Sequence, residues 1–314
     1  MMNGAVIALV ATGLYYVGSA VFKVSATRMK PLHGTRPLHL FGQMFANRIW
    51  LVGLVIVSVG FVLQLNALTM LPLAVAQPIF VSTLVLLLWI AVGYFGERLT
   101  AREWLGLALF AVATLMLAMS VVPGQKTDSG VPAQGLFLAV AIPSLLLPVV
   151  VFSIGDLRPA GRHARPLSGV AYGLSSGVLI GTCELAVKGV TNAYDSGVHD
   201  MVTLLLVKPY VYVIFVGAVV GICQAQIALQ RCRLAIVLSI CTVVAKTQLV
   251  VMGTLLYGEA WPRDPLWSSL RVAGFALGIA AVAFFPRYED PEQQLGREDV
   301  ADLVQRPGPA RHSF

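Results

Sequence analysis

Nine apolar stretches, each about the length that crosses a bilayer, dominate this chain and leave few residues for anything else. They run over residues 5–22, 50–70, 72–95, 104–122, 134–154, 168–190, 209–228, 234–257 and 267–285. Helices rise 1.5 Å per residue and the hydrocarbon core is about 30 Å thick, so a crossing needs roughly 20 apolar residues. The expected fold is an all-α integral membrane protein of about nine transmembrane helices. Composition agrees: 57% of the 314 residues are apolar and 12% are charged, against about a quarter charged in soluble domains. No room remains for a soluble catalytic module.

The first stretch has no basic flank before it, which argues for a retained helix over a cleaved leader. Cys183, Cys223, Cys232 and Cys241 lie in or beside the later helices without CxxC or Cys/His spacing. They read as apolar filler, with no disulfide framework and no metal site. All five histidines fall outside the apolar stretches, and no nucleophile with its base and no GxxxxGK[ST] phosphate loop is present. An enzyme is not expected, nor is a cofactor.

Charge placement sets the orientation. Lys23, Arg28, Lys30, Arg36, Arg48, Arg98, Arg102, Arg158, Arg162, Arg165, Arg231, Arg233, Arg287, Arg297, Arg306 and Arg311 all fall on one side of an odd number of crossings. The opposite connections hold Lys126 and Arg263. The positive-inside rule then puts the amino terminus outside and the carboxyl terminus in the cytoplasm of a plasma (inner) membrane. The net charge of +7 is topology control, so nucleic acid is not an expected partner. Residues 287–314 turn polar, with Glu289, Asp290, Glu292, Glu298 and Asp299 among Gly and Pro, and read as a disordered cytoplasmic tail.

A weak internal repeat organises the nine stretches. Gln64-Leu65-Asn66-Ala67-Leu68 is echoed by Gln224-Ala225-Gln226-Ile227-Ala228-Leu229, Leu73-Ala74 by Leu234-Ala235, Gly96-Glu97 by Gly258-Glu259, and Trp104 by Trp267. Residues 1–122 form repeat one and 167–286 repeat two, with the linking helix in 123–166. One extra crossing starts the second group from the opposite face, so the four-plus-four repeat is inverted. That construction suits alternating access around one central site.

The run ALTMLPLAVAQPIFVSTLVLLLWIAVGYFGERLTAREWLGLALFA at 67–111 resembles the third and fourth helices of the drug/metabolite transporter superfamily. PYVY at 209–212, QAQIAL at 224–229 and the count of nine are similar to its NIPA-type, magnesium transporter-like branch. The resemblance implies that fold and a transport function, with magnesium as cargo. Where that branch has Thr-Pro in the third helix, this chain has Gln77 and Pro78.

Ionisable groups at membrane depth cost roughly 2.5–3.5 kcal/mol on insertion scales and call for a partner or a polar cavity. Glu184, Lys188, Lys208 and Lys246 are the candidates. Lys208 precedes Pro209 and can snorkel. Glu184 and Lys188 stand i,i+4 and can pair on one helix face, which Gly177 and Gly181 would let another helix approach closely. Lys246 lies about 12 residues, roughly 18 Å, from either end of its helix, too deep to snorkel fully. It must meet Glu184, a carbonyl or the cargo in a central cavity. Tyr15, Tyr16 and Gln77 could add hydrogen bonds. The substrate site is therefore expected at Lys246, Glu184, Lys188, Gln77 and Tyr16.

With one buried carboxylate and up to three lysines, the charge inventory favours a secondary transporter of a small anionic or zwitterionic solute, or of a lipid-linked headgroup. A magnesium or other divalent-cation transporter is the alternative within that class. Outside it stands a non-transporting membrane scaffold for a cell-envelope enzyme. The expected partners are the substrate and the lipid bilayer, and a homodimer stays open.

Overall fold

The computed structural model describes residues 2–33, 37–70, 84–97, 99–120, 134–157, 164–195, 208–257, 261–262 and 264–284. They form ten helices and no strand: α1 (Met2–Arg28), α2 (Pro37–Ala46), α3 (Arg48–Met70), α4 (Leu84–Trp89, continuing as a π-helical turn Ile90–Tyr94), α5 (Ala101–Met119), α6 (Gln134–Leu157), α7 (Ala164–Asp195), α8 (Tyr210–Arg231), α9 (Leu234–Tyr257) and α10 (Pro265–Phe284). By length and composition α1, α6, α7 and α8 can each cross a membrane, and α2 with α3 makes a fifth candidate if that bent pair is one span. Apolar helices of 10–17 residues occur in α4, α9 and α10. Large apolar side chains face outward along them, among them Val52, Val55, Val59 and Val62 on α3 and Phe215 on α8. An exterior of this kind suits hydrocarbon, and the chain is a multi-pass membrane protein.

Two features depart from expectation. Residues 37–46 were expected to be part of a connection, yet they form α2, which meets α3 at 88°. Leu40 and Met44, one turn apart, are buried while Leu38 and Phe45 stay exposed. Asn47 makes the corner: its Oδ1 accepts from the amides of Ile49 (3.0 Å) and Trp50 (3.2 Å) and caps α3. Second, α7 outruns its expected 168–190 and reaches about 48 Å at 1.5 Å per residue.

Glycine lets α7 and α9 come together. A Cβ on Gly177 would stand 2.9 Å from the Cys241 carbonyl oxygen, and one on Gly181 would stand 2.8 Å from Gln248 Oε1. Only a bare backbone permits that approach. Around this pair α7 also packs against α8 and α6, α1 against α3, α5 against α10, and α1 reaches α8. The buried side chains gather in two clusters. The larger includes Phe22, Trp50, Tyr172, Ile227 and Leu234; the smaller, toward the other end, holds Phe137, Leu185, Tyr210 and Tyr257. The residues 72–83 of the third predicted helix, with Gln77 and Pro78, the tail 287–314, and Gly258-Glu259 of the repeat lie outside the described residues.

Candidate functional site

Lys246, thirteenth of the 24 residues of α9, reaches across to α7 and holds Glu184 with both carboxylate oxygens, at 2.7 and 2.9 Å. Its long aliphatic stem and the glycine-mediated closeness of the two helices bring these charges together over 62 positions of sequence. The two side chains keep 16% and 18% of their surface exposed, so the pair is neither sealed in the core nor open to solvent. Such a pair offsets most of the cost of holding either charge at membrane depth; removing one partner of a fully buried pair costs about 3–5 kcal/mol. Tyr15 of α1 lies within electrostatic reach of Glu184, and its ring meets Tyr16 edge to face at 5.6 Å.

The structure distributes the other candidates differently. Glu184 spends its carboxylate on Lys246, where an i,i+4 bond to Lys188 was expected. The Lys188 ammonium instead sits 5.0 Å above the ring of Tyr257, a cation–π contact. The i,i+4 rule counts neighbours on one helix only, so it has no view of the partner that α9 supplies. Tyr16 is buried in the larger cluster. Lys208 is half-buried just before α8, and Gln77 is outside the described residues.

A cavity of about 640 Å³ opens between α6, α7, α9 and α10. Its walls are mostly apolar, with Ser144, Thr247 and Gln248 as polar points. Neither Lys246 nor Glu184 lines it, so the ion pair does not face this cavity, and both of its helices belong to the second half of the chain. Among the described residues no three His, Cys, Asp or Glu side chains converge on a point that could hold a metal ion. The arrangement at Glu184 can bind a cation through one carboxylate, with an ammonium already in that place.

Charges that sequence reasoning left as connections or markers make a second polar constellation, where α1 and α8 end and α9 begins. Glu97 follows Gly96, whose φ of 61° turns the chain back after the π turn. Its carboxylate accepts from the first amides of α9, Leu234 at 2.6 Å and Ala235 at 3.2 Å. Burial pushes the Glu97 carboxyl above its ordinary range, against the pull of those two amides and of Lys23 and Arg233. Lys23 donates to the carbonyls of Leu229 (2.7 Å) and Cys232 (2.6 Å) at the end of α8. Gln226 and Gln230 of α8 return the favour, donating to Phe22 (3.0 Å) and to Ala26, Met29 and Lys30 at the end of α1. Arg233 holds the fully buried Glu103 at 3.3 Å. The Thr100-x-x-Glu103 capping box that opens α5 was a readable signal for Glu103. Arg271, inside the last apolar stretch, was another overlooked charge: it is buried and donates to the Ser120 hydroxyl (3.2 Å) and carbonyl (3.3 Å).

With this geometry in view, comparison with known proteins finds one informative likeness. The chain is similar to the probable magnesium transporter NIPA9 of Arabidopsis thaliana. The two are 24% identical over 289 residues, which span 90% of this chain and 81% of that protein. No family model matches the chain, and no solved structure does. The likeness runs through nearly all of the helical part, the Glu184–Lys246 pair included in its range.

Proposed function

We propose that this chain is a secondary transporter of a small cation, with magnesium as the first candidate, and that the cation binds at Glu184. The observation that carries the reading is the bidentate Lys246–Glu184 pair at mid-helix depth. The lysine that suggested an anionic or zwitterionic cargo is already neutralised there, and Lys188 lies against a ring. What the site offers a solute is a carboxylate with a displaceable ammonium on it. Magnesium is commonly held by one or two carboxylates while keeping several of its waters, and a carboxylate attracts a divalent ion twice as strongly as a single positive charge at the same distance. The likeness to a probable magnesium transporter over 90% of the chain supports the same choice.

The wider reading places the chain in the drug/metabolite transporter fold, with nine crossings, repeat one inverted against repeat two, and the basic side in the cytoplasm of a plasma membrane. In its support, α1 packs on α3 as α7 packs on α8, and α5 pairs with α10, the last helix of the other group. The sixteen basic residues on one side support the orientation.

Flux into sealed vesicles loaded with a magnesium-sensitive dye tests the function. Wild-type protein should carry magnesium, and Glu184→Gln should abolish the flux at unchanged protein level. Lys246→Met should raise the apparent affinity for magnesium while slowing turnover, because nothing remains to displace the bound ion. An anion flux that depends on Lys246 would restore the anionic reading. Absence of flux for every cation and anion tried would leave the scaffold role.

A further inference from the structure

We infer that the polar constellation around Glu97 is the gate at the basic end of the bundle: the Glu97 carboxylate seats the first turn of α9 and keeps that end closed. The inference rests on the transport reading and adds to it a second, separate set of residues.

Three helix termini meet there, and each is satisfied by a side chain from the other half of the chain. The amides that open α9 have no partners within their helix, and Glu97, in the connection between α4 and α5, supplies them. The carbonyls that end α8 receive the Lys23 ammonium from α1. Those that end α1 receive the amide group of Gln230 from α8. Two helix C-termini side by side bring like partial charges together, and the lysine compensates them. The bonds of Glu97, Lys23 and Gln230 each join a side chain to a terminus, and that of Gln226 goes to the Phe22 carbonyl one turn further in. Water can therefore replace them all without breaking a turn of any helix.

A permanent seam would be more stable with apolar contacts, since burying a carboxylate costs more than its bonds return unless each is well made. These polar bonds sit on buried apolar side chains, Phe22, Ala26, Leu229 and Leu234 among them, and it is the polar part of the closure, which water can replace, that suits an interface that has to open. Position agrees: α9 carries Lys246, thirteen residues along the same rigid element, so release of its first turn frees the helix that holds the ammonium on Glu184. Arg233, beside Glu97 and paired to Glu103 of α5, links the same turn to a third helix.

Thiol labelling reads the gate without reference to any cargo. Cys232 is buried within the constellation and serves as the native reporter once Cys183, Cys223 and Cys241 are changed to Ala. Ala186→Cys in a cysteine-free background reports on the opposite end, where Ala186 is fully buried. With Glu97→Ala, an impermeant maleimide reaching the basic side should label Cys232 about tenfold faster, as expected when buried amides lose their acceptor. Labelling at Ala186→Cys should stay slow. Equal protection of Cys232 in Glu97→Ala and wild type would overturn the gate, and so would faster labelling of both reporters, which marks a loosened fold.

A second measurement asks whether opening is required. Joining Ala26→Cys to Gln230→Cys with a short cleavable bifunctional thiol reagent should stop magnesium flux, and cleaving the linker should restore it. Undiminished flux through the joined protein would overturn the gate. If wild-type vesicles carry no cation while Cys232 still opens in Glu97→Ala, the cation reading falls and the gate stands.

Discussion

The two ends of the bundle are held by opposite means. At the basic end, charged and amide side chains of one half satisfy helix termini of the other: Glu97 on α9, Lys23 on α8, Gln230 on α1. At the far end, α6, α7, α8 and α9 close on aromatic rings, with Phe137 and Tyr210 edge to face at 4.7 Å and Tyr257 donating to the Leu185 carbonyl. The first end joins the halves through exchangeable bonds. The second packs the later half upon itself. A bundle built this way joins its halves at one end through bonds that water can replace, set on buried apolar side chains such as Phe22 and Leu234, and closes the other end chiefly on rings.

The sharpest way to break that comparison is at the aromatic end. Tyr210 is fully buried beside Phe137, and Tyr210→Ala should cost about 3–5 kcal/mol, read as a large drop in melting temperature in detergent. Equal damage from removing a basic-end side chain would erase the distinction. Between the ends, Lys246→Met should cost less, toward the lower part of the roughly 3–5 kcal/mol seen for buried pairs, because both partners keep some exposure. Adding Glu184→Gln should recover most of that stability while abolishing the flux that remains. Recovery of flux as well would mean that the pair is only structural.

At the basic end, Glu97→Ala should cost about 1–3 kcal/mol, the desolvated amides of Leu234 and Ala235 having lost their acceptor. Tyr210→Phe should be nearly silent, within about 0.5 kcal/mol, since the buried Tyr210 hydroxyl has no hydrogen-bond partner among the described residues. The smallest effect is one of pH. Glu97 faces Lys23 from α1, Arg233 from the start of α9 and, through that arginine, Glu103 from α5. Burial outweighs the cations and keeps its proton on to higher pH than in water. Above the ordinary carboxyl value of about 4.3, the closed end therefore binds more protons than an opened one, and raising the pH takes stability from it until the raised value is passed. Melting temperature should fall gently across that window in wild type, and Glu97→Gln should flatten the decline.

Sequence carried the helical class and named both members of the Glu184–Lys246 pair as candidates, and the physical reason is local: apolar length, capping and the Gly177/Gly181 spacing all act within one helix. Pairing acts between helices, and there the reading stopped. Lys246 was placed at membrane depth from its position alone, and Glu184 was named among its options, yet the i,i+4 rule gave Glu184 first to Lys188. Glu97 was visible only as half of a Gly-Glu echo, because its partners are backbone amides, which no side-chain pattern records. Arg271 sits inside an apolar window that tolerates one charge, and the ten residues of α2 are too few to register as a crossing.

That short helix has a mechanical meaning. Set at 88° to α3, α2 turns Leu38 and Phe45 outward and Leu40 and Met44 into the protein. Asn47 joins the two helices at a capped corner, so a displacement of α2 is a torque on the head of α3. Trp50, stacked on Phe22 at 5.7 Å, carries that torque into α1 just beside Lys23.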